Sequence, residues 1–454
     1  MKKYDAVIIG FGKGGKTLAG TLAASGKKTA LIEKDNKMYG GTCINVGCIP
    51  SKSFVTSAAF SAKLDSSFEE KAKLYKEAVA KKTKLTDALR NKNYHKVADL
   101  ENADVYNGEA SFVDSRHVKV VLQDETMELE AEQIFINTGA SPFIPPIEGL
   151  SDSSHVYISE TMLSLDELPR QLVIIGGGYI GMEFASIYRN FGSEVTVIQD
   201  GGVFLPREDR DIADAVAASL KERGVKLLLS TKINSVHDSD QKAVVSVETP
   251  DGPKEISADA VLIATGRRPN VKDLNLDAAG VELTPRNAVK TDEFLQTTAP
   301  GIYAMGDVVG GLQFTYISLD DFRIVKSQIL GDKERTINNR GAVPYSVFLD
   351  PPFSRVGLSE TEAVQQGYEI KITKLPAAAI PKANVLGQTT GLLKAVIDAK
   401  TNQILGAHLF CAESHEMINL IKLAMDAHLS YTVLRDTIYT HPTMSEAFND
   451  LFNI

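Results

Sequence analysis

Cys43 and Cys48 lie five positions apart and are two of only three cysteines in 454 residues. They belong to the segment Gly40-Gly41-Thr42-Cys43-Ile44-Asn45-Val46-Gly47-Cys48-Ile49-Pro50-Ser51-Lys52. Two thiols this close can cycle between dithiol and disulfide, taking electrons from one partner and passing them to another. Two other readings stand beside this one: a pair of buried structural thiols, or half of a metal site, although a four-ligand zinc site needs partners that are not nearby in sequence. The redox reading explains more. Pro50 suits the first turn of a helix, which places Cys48 just before a helix N-terminus, where the dipole lowers a thiol pKa. A bridge between positions i and i+5 needs a distorted first turn to bring the Cα atoms within about 4.4–6.8 Å, and such strain makes a disulfide reducible.

The elements before this segment explain what it is delivered to. Tyr4 to Ile9 reads as a buried strand of a parallel sheet, Lys16 to Ser25 as a helix, and Lys28 to Glu33 as the next strand. Between strand and helix lies Gly10-x-Gly12-x-x-Gly15. Here the first glycine allows the tight turn, the second lets backbone approach a pyrophosphate, and the third lets helix pack on strand. The phosphates then face the positive end of the helix dipole, and Glu33 can accept hydrogen bonds from a ribose. The pattern restarts after a linker marked by Pro142, Pro145 and Pro146. Leu172 to Ile175 is a strand, Gly176-x-Gly178-x-x-Gly181 a second glycine turn, and Val195 to Ile198 the following strand. Gly10 to Glu33 and Gly176 to Gln199 are both 23 residues, so the chain carries two dinucleotide folds. The second motif supports a nicotinamide cofactor. A carboxylate at position 199 would favour NADH and a nearby arginine NADPH. Gln199 serves either, Asp200 tilts toward NADH, and no arginine appears before Arg207, so NADH or NADPH stays open.

A chain of this length divides into two to four domains. Two helical stretches run from the cysteine segment to about Asn91. The second is rich in lysine (Lys71, Lys73, Lys76, Lys81, Lys82, Lys84) and reads as a solvated amphipathic face. Residues 103 to 138 alternate as strands ending in Ile134-Phe135-Ile136-Asn137-Thr138-Gly139. Gly301 to Met305 is strand-like and leads into Gly306-Asp307, and from about Gly341 the pattern is strand-rich, then helical over 414 to 427. The composition is ordinary globular, 43% hydrophobic and 24% charged, and the net charge of -9 argues against a nucleic-acid or anionic-membrane partner. So few cysteines suit a reducing compartment. The N-terminus runs straight into a strand, leaving no room for a signal peptide. No apolar run reaches the roughly 20 residues of a membrane span. The expectation is a cytoplasmic protein.

Taken together, Gly40 to Lys52, both glycine fingerprints, Ala264-Thr265-Gly266-Arg267-Arg268-Pro269-Asn270, Ala304-Met305-Gly306-Asp307-Val308 and the terminal His441-Pro442-Thr443-Met444-Ser445-Glu446 resemble the class I flavoprotein disulfide reductases over the whole chain. That class includes dihydrolipoamide dehydrogenase, glutathione reductase and mercuric reductase. The resemblance implies an α/β fold with two Rossmann-like domains, for FAD (1–147 with 270–340) and NAD(P) (148–269), and a C-terminal α+β dimerisation domain (341–454). It implies that Cys48 is the flavin-side thiol and Cys43 the interchange thiol. Lys52 would sit by the flavin, paired with Glu183. FAD would contact Gly10, Gly12, Gly15, Glu33, Lys34, Gly41, Thr42, Thr138, Gly139, Gly306 and Asp307, the last on the ribityl chain. The nicotinamide cofactor would lie along Gly176, Gly178, Tyr179, Gly181, Gln199 and Gly266, with Tyr179 covering the nicotinamide pocket. His441, oriented by Glu446, would serve as acid/base for Cys43 of the partner subunit in a homodimer. An imidazole beside a thiol stabilises the thiolate and shuttles its proton.

Within that class the chain is similar to the bacterial reactive-chlorine-resistance flavoproteins, which are Cu(II) reductases. The similarity is carried by Met38 to Cys43, Leu205 to Asp211, Gly310 to Asp321 and Ser414 to Asn419. Where other disulfide reductases have a Leu-Thr-Pro-like turn after Gly-Asp, this chain has Phe314-Thr315-Tyr316-Ile317, so the flavin-proximal surface should differ. Three acceptors follow: Cu(II) as substrate, a small disulfide such as lipoamide or glutathione, and Hg(II). Mercury is disfavoured because no cysteine lies near the C-terminus and His441 replaces that family's terminal tyrosine. A soft dithiolate at Cys43 and Cys48 suits Cu(I) and could bind copper transiently. Cys411-x-x-x-His415, with Met417 nearby, is a lesser metal candidate, since a buried free cysteine is usually inert packing. A non-catalytic flavin-binding redox sensor is the remaining alternative.

Overall fold

The computed structural model describes residues 1–454. The first fingerprint sits in a seven-stranded sheet. Its parallel part runs Ala103–Asn107, Thr29–Glu33, Lys2–Ile9, Thr126–Ile136 and Ile302–Ala304. His117–Val121 and Glu109–Phe112 extend the long fourth strand antiparallel. The second fingerprint sits in an all-parallel five-stranded sheet ordered Lys226–Leu228, Glu194–Ile198, Gln171–Ile175, Ala260–Ile263 and Val156–Ile158. The sheets are fully apolar where helices cover them, as Val7, Ile8, Leu31, Ile174 and Leu262 illustrate. A two-stranded ribbon, Ala140–Pro142 against Arg267–Pro269, joins the two units where the proline linker was expected. A third sheet, antiparallel, follows the order Tyr345–Val347, Phe353–Gly357, Ile404–Phe410, Leu392–Asp398 and Ile370–Pro376. It packs against the helix Ser414–Asp426 and forms the interface unit.

The internal repeat is legible at the level of single contacts. A Cβ on Gly10 would lie 2.3 Å from the Asn137 carbonyl oxygen, and one on Gly176 would lie 2.4 Å from that of Ala264. Both glycines have positive φ, +108° and +113°. Gly15 and Gly181 in turn sit over the carbonyls of Gly10 and Gly176, where a Cβ would approach to 2.4 and 2.1 Å. The same steric demand is met twice, which is why the same spacing occurs twice.

Two expectations are corrected. The lysine-rich helix runs over Phe68–Ala98, past Asn91, and begins with a capping box between Ser67 and Glu70. Lys82 does not lie on its solvated face. It falls on the inward stripe of Tyr75, Ala78, Lys82 and Thr86 and is buried, which lowers its pKa. A lysine stem can complete such a stripe while its ammonium finds the edge. The sequence pattern registers only the charge.

The second nucleotide unit is tied to the interface unit by ionic groups. The Lys394 ammonium, 1% exposed, lies 2.9 Å from Asp209, 3.2 Å from Asp211 and 2.8 Å from Glu360. Removing this ammonium leaves buried Asp209 without its counter-charge. Lys394→Ala should therefore cost about 3–5 kcal/mol, measured by urea unfolding, whereas Lys400→Ala, at the exposed pair with Glu369, should cost under about 1 kcal/mol.

Candidate active site

The cysteine segment is laid directly on the first glycine loop. Gly40 and Gly41 have φ of +99° and +77°, and a Cβ on Gly41 would lie 2.7 Å from the Gly12 Cα. A short helix, Thr42–Asn45, then breaks at Val46 and Gly47 before the helix Cys48–Ala62 begins. The break brings the two thiols together, so the distorted first turn expected from the i, i+5 spacing is replaced by two helices meeting end to end. Asn45 fixes this corner. Its amide donates to the carbonyls of Tyr39 and Gly41 at 3.0 and 2.9 Å, and its oxygen accepts from Arg90 at 2.8 Å. Cys48 is the first residue of its helix, and Pro50 the third.

The two thiols are electrostatically unlike. Both are free thiols, Cys43 half-buried and Cys48 exposed. The Cys43 thiol donates to the Cys48 sulfur, and this hydrogen bond is the largest influence holding Cys48 down at about 6. Burial opposes it, while a hydrogen bond from Thr315 and the Lys52 charge add to it. The Thr315 Oγ1 lies 3.6 Å from the Cys48 sulfur. Cys43 is pushed well above the usual thiol range, first because its proton is held by Cys48 and then by burial. Of the two, Cys48 is the one favoured to carry negative charge and Cys43 the one favoured to keep a proton, and they titrate as a coupled pair.

One turn beyond Cys48, the Lys52 ammonium donates to both Glu183 oxygens at 2.9 and 2.8 Å. Glu183 lies on the helix Tyr179–Asn190 that opens from the second fingerprint, and Phe54 packs on Phe191 at the end of that helix at 6.3 Å. The Phe348 amide donates to the same carboxylate at 2.9 Å, and the Lys52 ammonium stands 4.5 Å from the Phe348 ring centroid. All three units thus meet at one ion pair.

The FAD residues expected from sequence gather at the carboxyl ends of the parallel strands of the first sheet. Glu33 accepts from the Phe11 amide at 3.0 Å and the Asp35 amide at 3.3 Å, and burial raises its pKa. Lys34 beside it is exposed. Gly306 and Asp307 follow the strand Ile302–Ala304, and burial raises the Asp307 pKa. The Asp307 carboxylate accepts no hydrogen bond from the chain, and the Gly12 and Lys13 amides find no acceptor in it. An acceptor placed for ribityl hydroxyls and donors placed for phosphate oxygens fit FAD. The Thr138 hydroxyl donates to the Asn270 carbonyl at 2.7 Å, tying the strand end to the returning chain. Gly139 beside it has φ +72°. Sequence reasoning missed Asn137 and Ser318. The Asn137 oxygen accepts from the Gly15 amide at 2.8 Å, its amide donates to the Met305 carbonyl at 2.7 Å, and Ser318 accepts from the Gly14 amide at 3.0 Å. The available signal for Asn137 was a polar residue closing the apolar strand Ile134 to Ile136.

The second fingerprint lines a cleft of about 1040 Å³ that includes Gly176, Gly178, Tyr179, Gln199 and Gly266. Gly181 lies behind it, in the helix–strand contact. The Gln199 amide is committed to the carbonyls of Gly201 and Val203, both at 2.9 Å. Arg207 and Lys232 also stand on the cleft wall, cations that spacing alone had not placed there. The Tyr179 hydroxyl donates to Glu208 and lies 3.1 Å from the Tyr345 hydroxyl.

His441 and Glu446 come together on the interface unit, Nδ1 to Oε2 at 2.7 Å, with the His441 side chain 71% exposed. Cys411 is completely buried, its thiol raised to about 12 by burial and 3.9 Å from the Met417 sulfur. No three His, Cys, Asp or Glu side chains converge anywhere as a metal cage, so the Cys411 and His415 spacing builds none. No helix is long and apolar enough to cross a membrane.

Residues 4–321 match the pyridine nucleotide-disulphide oxidoreductase family, and residues 343–452 match its dimerisation domain. The chain is 48% identical over 454 residues, covering all of both proteins, to the probable pyridine nucleotide-disulfide oxidoreductase RclA of Escherichia coli strain K12. It is 35% identical to a mercuric reductase of Lysinibacillus sphaericus over 98% of this chain and 81% of that one. Its fold superposes with a TM-score of 0.94, at 49% identity and over 100% and 99% of the two chains, on the Cu(II) complex of the HOCl-induced flavoprotein disulfide reductase RclA from Escherichia coli. Membership implies FAD and a pyridine nucleotide as cofactors, and these findings establish that the chain belongs to the pyridine nucleotide-disulphide oxidoreductases, with two Rossmann-like units and a dimerisation domain.

Proposed function

We propose that this oxidoreductase uses the Cys43 and Cys48 dithiol to reduce Cu(II) to Cu(I) at the expense of NADH or NADPH, as a cytoplasmic homodimer that protects cells against hypochlorous acid. The observation that carries the reading is an accessible soft dithiol with no third metal ligand beside it in the same chain. Such a pair can take copper at low coordination and release it, and thiolate ligation favours Cu(I). The full-length similarity to a protein whose solved structure is a Cu(II) complex supports the choice of metal. We assign 1–147 with 270–340 to FAD, 148–269 to the nicotinamide cofactor and 341–454 to dimerisation.

Bound FAD would supply the two-electron relay between the nicotinamide and the cysteines. The chain's own residues divide the remaining work. Cys48 holds the thiolate beside Lys52 and Thr315, and Lys52 is kept in place by Glu183. Cys43 holds the proton and meets the acceptor. Two Cu(II) ions leave as Cu(I) for each NAD(P)H oxidised, and the dithiol closes to a disulfide. His441, oriented by Glu446, would face Cys43 of the partner subunit. A thiol proton must be removed before Cys43 can attack a disulfide, whereas a coordinating metal ion expels that proton itself. The His441 and Glu446 pair is therefore needed more for disulfide chemistry than for copper. Its retention keeps a small-disulfide reductase as the second reading.

Turnover of the purified FAD enzyme with Cu(II), Hg(II), lipoamide and oxidised glutathione separates these readings. Copper should be the best acceptor, Cys43→Ser should reduce its turnover by roughly a hundredfold or more, and His441→Ala should affect copper less than any disulfide. Lipoamide turnover far exceeding copper turnover would overturn the copper assignment. Copper reduction indifferent to Cys43 would move the metal away from the dithiol.

The Cys48 thiolate makes a second prediction. The long-wavelength thiolate–flavin absorbance of the two-electron-reduced enzyme should be present at neutral pH and fade as pH falls through about 6, because protonation removes the charge. Thr315→Val removes a hydrogen bond to that charge and should raise the midpoint by roughly one unit. Cys48→Ser should abolish the band at every pH.

A further inference from the structure

Over the Tyr179 ring, the strand Tyr345–Val347 and the loop 204–208 meet in a contact that neither the dithiol nor the glycine turns require. The Glu208 side chain is 0% exposed. Its Oε1 accepts from both the Tyr179 and the Tyr345 hydroxyls. Its Oε2 faces Arg355 at 3.4 Å and the His408 ring at 3.7 Å. Burial alone would raise the pKa of this carboxyl, but His408, the two phenols and the Arg355 charge outweigh it and hold the group at about 2. A carboxylate has no proton to give, so both phenols must act as donors to it.

The loop is shaped to deliver this carboxylate. Leu205 is a buried non-glycine residue at φ +43°, a conformation that persists only when its surroundings impose it. Arg210 imposes it, donating to the carbonyls of Phe204, Leu205 and Glu208 at 2.8, 2.6 and 2.8 Å. From the other side the rings form a ladder. Tyr345 lies 5.5 Å from Tyr179, Phe314 stacks on Tyr345 at 5.9 Å, and Tyr316 stacks on Phe314 at 5.1 Å. The ladder runs from the wall of the nicotinamide cleft to the residues flanking Thr315, beside Cys48.

We propose that Glu208 is a positioning residue for the nicotinamide step: together with Tyr345 it fixes the Tyr179 ring at the mouth of the NAD(P)H cleft, so that the interface unit sets how the nicotinamide reaches the flavin. This rests on the reading of Tyr179 as the ring that covers the nicotinamide pocket. Glu208 acts through Tyr179 and touches no cofactor itself. Its carboxylate replaces a diffuse packing contact with two directed hydrogen bonds, and the ring is thereby held by the interface unit as well as by its own helix.

The test compares Tyr345→Phe, Glu208→Gln and Tyr179→Ala in the FAD-loaded enzyme. Two quantities are read: equilibrium binding of NADP⁺ and NAD⁺ by fluorescence titration, and anaerobic stopped-flow flavin reduction against NADPH and NADH concentration. Loss of a directed hydrogen bond should weaken nucleotide binding and raise the half-saturating NAD(P)H concentration by roughly three- to tenfold in Tyr345→Phe and Glu208→Gln. The rate at which the reduced dithiol gives its electrons to Cu(II) should not move, which a general loss of structure would not spare. If Tyr179→Ala alters the nicotinamide kinetics while Tyr345→Phe and Glu208→Gln leave them within twofold, the tether is wrong and the gate reading survives. If Tyr179→Ala itself leaves them unchanged, the gate reading fails and the tether falls with it. Should Glu208→Gln fail to fold, Tyr345→Phe, which removes a single hydroxyl, decides alone.

Discussion

The ion pair between Lys52 and Glu183 is the contact on which the rest of the site depends. Lys52 comes from the helix that begins with Cys48, and Glu183 from the helix that begins at the second glycine fingerprint. Joining them fixes the thiols relative to the nicotinamide cleft. Glu183 is largely enclosed, with a side chain 12% exposed, and also receives the Phe348 amide. A carboxylate in that position must be paired, because an enclosed charge without a partner is costly. The pairing therefore acts as a registration mark: the helices pack correctly only when the ammonium and the carboxylate meet. The aromatic contacts around it, Phe54 with Phe191 at 6.3 Å and Tyr75 with Phe191 at 5.3 Å, supply apolar area but would tolerate more than one offset.

The same logic recurs at the junction with the interface unit. Lys394 with Asp209, Asp211 and Glu360, and Arg355 with Glu208 and Glu362, place formal charge where an apolar contact would also have closed the gap. Buried charges of this kind add little net stability over a well-packed apolar contact, but they penalise every alternative arrangement. A two-electron relay demands that three units hold their separation closely, so geometric selectivity matters more here than additional stability.

The parts of this arrangement that were legible in the sequence are those fixed by backbone sterics. Gly10, Gly15, Gly176 and Gly181 each occupy a point where a Cβ would collide with a carbonyl, so spacing alone located both nucleotide loops. The cysteine pair was legible because thiols are rare here. Lys52 with Glu183, and His441 with Glu446, were reached only through resemblance, and their side chains do meet. Thr315 was reached only as part of a segment expected to change the flavin-proximal surface, and Tyr345, Glu208 and Asn137 were not singled out for any role. Their roles arise from contacts across more than a hundred positions, as between Glu208 and Tyr345 or Asn137 and Met305, and no periodicity records such a meeting. Lys82 was misplaced for the converse reason: its charge outweighed its position on the inward stripe.

The asymmetry of the thiols links these layers to chemistry. Hydrogen bonds from Cys43 and Thr315 and the Lys52 charge lower the Cys48 pKa, while the Cys43 thiol is raised. Tyr316, beside Thr315, is anchored by its hydroxyl to the Pro344 carbonyl at 2.6 Å, one residue before Tyr345. The segment that tunes the Cys48 charge is thus attached to the strand that holds Tyr179 and, through Phe348, Glu183. A shift of this strand would act on the nicotinamide ring, the lysine and the thiolate together. The cleft that holds Tyr179 and the lysine beside the thiols are thereby both tied to one short strand of the interface unit.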